Sequence, residues 1–255
     1  MASRGVTAWM QSNDAFACCT PDPRILCEPG SEALAARIVP LLPAAIATVE
    51  KAQFSRFGSP IIVHTYATRD SFAKHSGSEG YADGVTSLGV LHLSPKLLSM
   101  PERTDSILTH ELSHLHLLLQ MGSLSLSRVP SWFSEGLATY VSGGGGAETV
   151  PAANALAALR HGQRFVPDEA QSILFQKNAA SYQLAPHLFY RQAALFVGFM
   201  HDSDPVAFET MLAQVAAKTP LGEAVASSYH KRLATIWDSF LCRMSDAGPA
   251  GPCPV

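Results

Sequence analysis

Residues 110–116 read HELSHLH, three histidines and one glutamate inside a leucine-rich stretch. Around them Ile107, Leu108, Leu112, Leu115, Leu118 and Leu119 keep helical spacing, which predicts an amphipathic helix over 103–121. On such a helix His110 and His114 stand one above the other on the same face. Two imidazoles placed so can both reach one zinc ion at about 2.0–2.1 Å. Glu111 is turned from His110 by about 100°. That sets it beside a metal rather than on it, where it can take a proton from a metal-bound water. His116 falls on the side away from the pair and is expected at the surface or behind the ligands. Composition alone would produce H-E-x-x-H roughly 0.02 times in a chain of this length.

Zinc with an open reactive position needs a third protein ligand. The pattern H-E-x-x-H-x-x-G-x-x-H is excluded, because Leu117 and Gln120 stand where it requires glycine and histidine. An acidic ligand from the next helix is the remaining common solution. The stretch PSWFSEGLATYVS (130–142) opens on proline and runs into GGGG (143–146), which is helix punctuation. Within it Glu135 follows Trp132 and Phe133 and precedes Gly136, a residue that permits close helix approach. Glu135 is therefore the expected third ligand, giving two His, one Glu and a place for water.

HELSH followed by PSWFSEGLATY resembles the gluzincin branch of zinc metallopeptidases, the peptidase MA-like group with a downstream W-x-x-E-G-x-A. The likeness covers roughly residues 60–200. It implies His110, His114 and Glu135 as ligands of one Zn2+ and Glu111 as general base. It also implies that GVLHLSP (89–95) is the edge strand above the cleft, open to pairing with an extended peptide. LFYRQAALFVGFM (188–200) resembles the helix that follows the metal motifs in that group, which makes Tyr190 the expected donor to the developing oxyanion. Tyr182, His187 and Arg191 are alternatives in the same region, and a core or rim role for Tyr190 is the plain alternative. Two departures matter. The Gly-x-Met-Glu-Asn signature that grips a free N-terminus in the clan's aminopeptidases is absent. Thr139 stands where several relatives carry an Asp that orients a ligand histidine; its hydroxyl is expected to accept an imidazole N–H instead.

The rest of the chain suggests an α+β fold, which the resemblance implies is zincin-like: a small N-terminal sheet with an active-site helix, then an all-helical C-terminal half. Residues 1–30, turn-rich around CCTPDPRILCEPG, are expected as an irregular lead-in. Residues 31–145 form the α/β part with both metal motifs, and 146–255 the helical part of the same catalytic unit. A helical run over 31–57 should be split by Pro40 and Pro43. PIIVHTYA (60–67) and LGVLHLSP (88–95) read as strands, the latter closed by Pro95 and holding His92. A short helix capped by Thr68 or Asp70 lies between them. Further helices are expected at 151–161, 168–176, 187–201, 205–218, 222–229 and 231–244. Trp9, Trp132 and Trp237 read as core. The GGGG run reads as a helix terminator or a lip of the cleft.

Composition fits this. Of the 255 residues 47% are hydrophobic and 15% charged, as expected of a folded globular chain. The net charge of −3 gives no electrostatic reason for nucleic acid as a partner. No stretch reads as membrane-spanning. Cys18, Cys19 and Cys27 lie near one end, Cys242 and Cys253 near the other, and no C-x-x-C pair exists. Such a distribution favours disulfides stapling the termini in an oxidising compartment, periplasmic or secreted, over free thiols in the cytoplasm. The expected activity is zinc-dependent hydrolysis of peptide or protein substrates, as an endopeptidase. A zincin-fold binding or scaffolding protein without turnover is the alternative, which the intact Glu111 disfavours. An aminopeptidase is weakened by the missing N-terminus-binding motif.

Overall fold

The computed structural model describes residues 14–78, 80–172 and 176–244. The chain divides into two compact units, Met1–Leu119 and Gln120–Val255. The fold is α+β, with a five-stranded sheet in the first unit and a mostly helical second unit.

The sheet comprises β1 (Ala17–Cys18), β2 (Ile25–Cys27), β3 (Val63–Thr65), β4 (Gly84–Ser87) and β5 (Val90–Leu93) in the order β1-β2-β3-β5-β4. Strands β2, β3 and β5 run parallel, and β1 and β4 flank them antiparallel. Residues 14–30 are thus not an irregular lead-in. Ile25 and Cys27 are buried in the sheet, and Cys27 is joined to Cys19 by a disulfide. Strands of two and three residues between turns are too short to show a period of two, so pairing, β2 with β3 and β1 with β2, decides their conformation.

The other difference concerns the edge. Strand β5, expected at the edge, is internal, and β4 lies at the end of the sheet. Residues 84–87, which read as part of a glycine-rich connection, pair with β5 through a two-residue turn at Leu88 (φ 53°) and Gly89 (φ 79°). Both turn residues are left-handed, as a hairpin turn that follows the strand twist requires. Leucine in that conformation costs roughly 1–2 kcal/mol, so the sequence hides the hairpin.

Register sorts the side chains. Gly84, Thr86, Leu91, Leu93, Val63 and Thr65 share one face, because Gly84 opposes Leu93, Thr86 opposes Leu91, and Val63 and Thr65 pair with the same two leucines. His64 and His92 are register partners on the other face, with Tyr66. There Phe16 stacks on His64 at 4.2 Å, and the buried Tyr66 hydroxyl donates to His92 Nδ1 (2.6 Å). Nε2–H of His92 can then donate to Ser87 Oγ (3.1 Å), which satisfies a neutral imidazole.

The expected split of the 31–57 run is present. Helix α1 (Glu32–Ile38) stops before Pro40, and α2 (Leu42–Ala52) restarts with Pro43 in its first turn, where no N–H is needed. Helix α3 (Arg69–Ser76) begins at Thr68, whose side chain accepts from Ser71 N (3.1 Å), and ends at the left-handed Gly77. Helix α4 (Thr104–Met121) carries the histidines. Ile107, Leu108, Leu112 and Leu115 are buried as expected; Leu117 joins them, and Leu118 and Leu119 are half-buried.

The second unit follows with the short α5 (Ser123–Leu126), then α6 (Ser131–Val141), α7 (Ala152–Arg160), α8 (Pro186–Ser203), α9 (Pro205–Ala216), α10 (Leu221–Tyr229) and α11 (Leu233–Arg243). Helices α6 and α8 approach closely because Gly136 has no side chain: a Cβ there would lie 2.8 Å from the Ala193 carbonyl carbon. Trp132, Phe165, Phe196 and Trp237 form the aromatic core, and Trp132 Nε1 donates to Asp168 O (2.9 Å). No helix occupies the described part of 168–176. Its groups are spent on long-range bonds instead: Asp168 also takes Tyr182 and Lys177, and Gln171 N donates to Arg128 O. The GGGG run ends α6, with Gly143, Gly144 and Gly146 left-handed. Trp9 and Cys253 lie outside the described residues. Cys242 is disulfide-bonded, and Cys18 is an exposed free thiol.

No single helix among the described residues is long and apolar enough to cross a membrane. The pair α1–α2, bent by 51°, passes by length and composition alone, and its Leu34, Ile38, Leu42 and Val49 are buried within the protein.

Candidate metal centre

Helix α4 places His110 and Glu111 in nearly full burial and His114 half-buried one turn on. The helical spacing brings the two Nε2 atoms to 3.1 Å, with the rings crossed at 78°. Two nitrogens bound tetrahedrally at 2.0–2.1 Å from one zinc ion are separated by about 3.3 Å. The pair is therefore set close to a shared-metal geometry. Glu135, half-buried on α6, completes the group: one ligand atom from each of His110, His114 and Glu135 lies within 4.8 Å of the others. Among the described residues this is the one group of three or more His, Cys, Asp or Glu so placed. Two imidazoles and one carboxylate make a donor set that can hold a metal ion, and one chemically suited to zinc.

Glu111 is outside this group of ligands and packs against β4. The Thr86 hydroxyl lies 2.8 Å from the Glu111 main-chain oxygen and 3.1 Å from Oε2. A Cβ at Gly84 would meet Glu111 Cγ at 2.7 Å and Ile107 Cγ2 at 3.2 Å. Neither Gly84 nor Thr86 is visible as a site residue in the sequence. They lie on the strand of the hairpin that Leu88, at φ 53°, conceals in the sequence.

The remaining candidates separate clearly. His116 is buried rather than at the surface. Its Nδ1 lies 2.7 Å from Gln53 Oε1 and its Nε2 3.0 Å from Ser55 O, and burial holds its pKa below the usual histidine value. It ties α4 to the end of α2. His92 is an interior sheet residue. Thr139 is fully buried, and its Oγ1 has no hydrogen-bond partner among the described residues, so it does not accept an imidazole N–H. The hydroxyl of Tyr182 is engaged by Asp168 Oδ2 (2.7 Å); burial and that bond push its pKa up. Arg191 is spent on main-chain carbonyls, donating to Val150 O (2.9 Å) and Ala147 O (3.1 Å). It pins the turn after the glycine run, since its guanidinium sits 2.7 Å from where a Gly144 Cβ would be. That fits a terminator held in place better than a mobile lip. His187 Nδ1 meets Thr149 Oγ1 (2.8 Å). Tyr190 is half-buried in the second turn of α8, its ring against Phe189.

A scan against models of known protein families and a search of curated proteins both find no match.

Proposed function

We propose that the chain is a zinc-dependent metallopeptidase of the gluzincin kind that cleaves internal peptide bonds. The observation that carries this reading is the clustering of His110, His114 and Glu135 within 4.8 Å, with the buried Glu111 next in sequence to the first ligand and outside the ligand set. Zinc held by these three residues would supply Lewis acidity, which polarises a carbonyl and makes water a nucleophile at neutral pH. Glu111 accepts the proton that the attacking water loses and returns it to the leaving amine nitrogen, so no net proton is consumed at the carboxylate. Tyr190 donates its hydroxyl proton in a hydrogen bond to the carbonyl oxygen as that oxygen becomes negative. Strand β4, at the end of the sheet, takes the role of pairing with an extended substrate that the sequence assigned to β5.

The test compares zinc-loaded wild type with Glu111→Gln on a library of peptides blocked at both ends, read by mass spectrometry. Wild type is expected to cut internal bonds, and Glu111→Gln to lose about 10²–10⁴-fold in rate while keeping its zinc. Equal inactivity of both proteins with zinc bound would make the chain a scaffolding protein. Cleavage confined to unblocked N-termini would make it an aminopeptidase.

A further inference from the structure

We propose that Thr86, on the strand at the end of the sheet, is the positioning residue for the Glu111 carboxylate, with Gly84 as the wall that confines it; this rests on the peptidase reading above. A glutamate side chain has three rotatable bonds, and proton transfer needs its oxygen placed within a hydrogen bond of the proton. Residues 84 and 86 are two apart on β4 and so face the same way. Both meet Glu111. The Thr86 hydroxyl lies 3.1 Å from Oε2 and 2.8 Å from the main-chain oxygen of the same residue. Its single proton goes to one of these acceptors at a time, and either choice keeps Thr86 locked against the same turn of α4. When that proton is on Oε2, the bond ties one carboxylate oxygen to the strand.

Gly84 acts through space. It is not left-handed, so backbone conformation does not require glycine there, yet a Cβ would reach 2.7 Å from Glu111 Cγ and 3.3 Å from Cδ. The bare backbone of β4 therefore closes the side on which the Glu111 stem could swing. With Glu111 as a residue 8% exposed, little water is at hand to replace these contacts. The hairpin that makes β4 the last strand thereby also builds the support of the base.

Three full-length zinc-loaded proteins test this: wild type, Thr86→Val, which keeps the shape but removes the hydroxyl, and Thr86→Ser, which keeps the hydroxyl. Zinc content, kcat and KM on the best-cleaved library peptide, and crystal structures of wild type and Thr86→Val are measured. Thr86→Val is expected to lower kcat about 2- to 10-fold with KM within about twofold and zinc content unchanged. Its Glu111 carboxylate should spread over more than one rotamer, and Thr86→Ser should stay within about twofold of wild type. A Glu111 carboxylate unmoved in Thr86→Val, or a Thr86→Ser as impaired as Thr86→Val, overturns the proposal. If wild type cleaves no peptide, the peptidase reading fails, and the crystal structures still decide whether Thr86 positions Glu111.

Discussion

His64→Phe is expected to make the protein more resistant to acid. His64 is 3% exposed, and burial, reinforced by His75, pushes its pKa down to about 4 from 6.5. Its sheet neighbour His92 is pushed down to about 3, by burial first and then by His64. Between pH 6.5 and those values the unfolded chain binds protons that the folded chain refuses. Stability is therefore complete above about pH 6.5 and is lost as pH falls towards the folded-state values. Each histidine contributes a slope of about 1.4 kcal/mol per pH unit. By pH 4.5 the pair together removes roughly 5 kcal/mol, a large part of the 5–15 kcal/mol typical of a domain. Phenylalanine at 64 preserves the stack on Phe16 and deletes a buried Nδ1 that has no hydrogen-bond partner among the described residues. At pH 7.5 the variant should accordingly be as stable as wild type or slightly more so. The assay is urea unfolding of metal-free protein followed by far-UV circular dichroism at pH 7.5, 5.5 and 4.5, with chelator present so that loss of metal does not contribute. The loss over this range should be about 2–3 kcal/mol smaller in His64→Phe than in wild type. Equal losses in the two proteins would refute the assignment of the acid sensitivity to His64.

Other outcomes follow from the same contacts. Gly136→Ala drives a methyl to 2.8 Å from the Ala193 carbonyl carbon and should destabilise by about 1–3 kcal/mol in urea unfolding. Tyr190→Phe should lower kcat about 10²–10³-fold with little change in melting temperature. Tyr182→Phe should do the reverse, losing about 1 kcal/mol of stability through its bond to Asp168 and leaving kcat within about twofold. Chelation of bound zinc should lower the melting temperature of wild type. Saturation at about 1,000 times Kd stabilises by about 4 kcal/mol, and His114→Ala should show no such response in calorimetry.

The histidine pair was legible because H-E-x-x-H is a local pattern, and a helix turns four-residue spacing into one face. Glu135 was legible for the same reason at one remove, through the helix punctuation around PSWFSEG. The α+β division was readable as well, since long apolar periodicity distinguishes helices from the short β-branched runs. What sequence concealed is non-local. Strands β1 and β2 hold two and three residues each, and their conformation comes from pairing, β1 with β2 and β2 with β3, rather than from their own pattern. Strand β4 was hidden by Leu88, which adopts a turn conformation that asparagine or glycine usually advertises. With β4 went Gly84 and Thr86, which matter only through what they touch. The loop at 168–172 escaped for a related reason: Asp168 serves Trp132, Tyr182 and Lys177, partners that no window of neighbouring residues contains.

Zinc binding at equilibrium is the most direct test of the metal centre. Elemental analysis of dialysed wild type, His110→Ala, His114→Ala and Glu135→Ala reads it without needing a substrate. One zinc ion per wild-type chain, with binding weakened at least about tenfold in each variant, is the predicted result. Wild type without near-stoichiometric zinc, or Glu135→Ala binding as tightly as wild type, would contradict the His110–His114–Glu135 site.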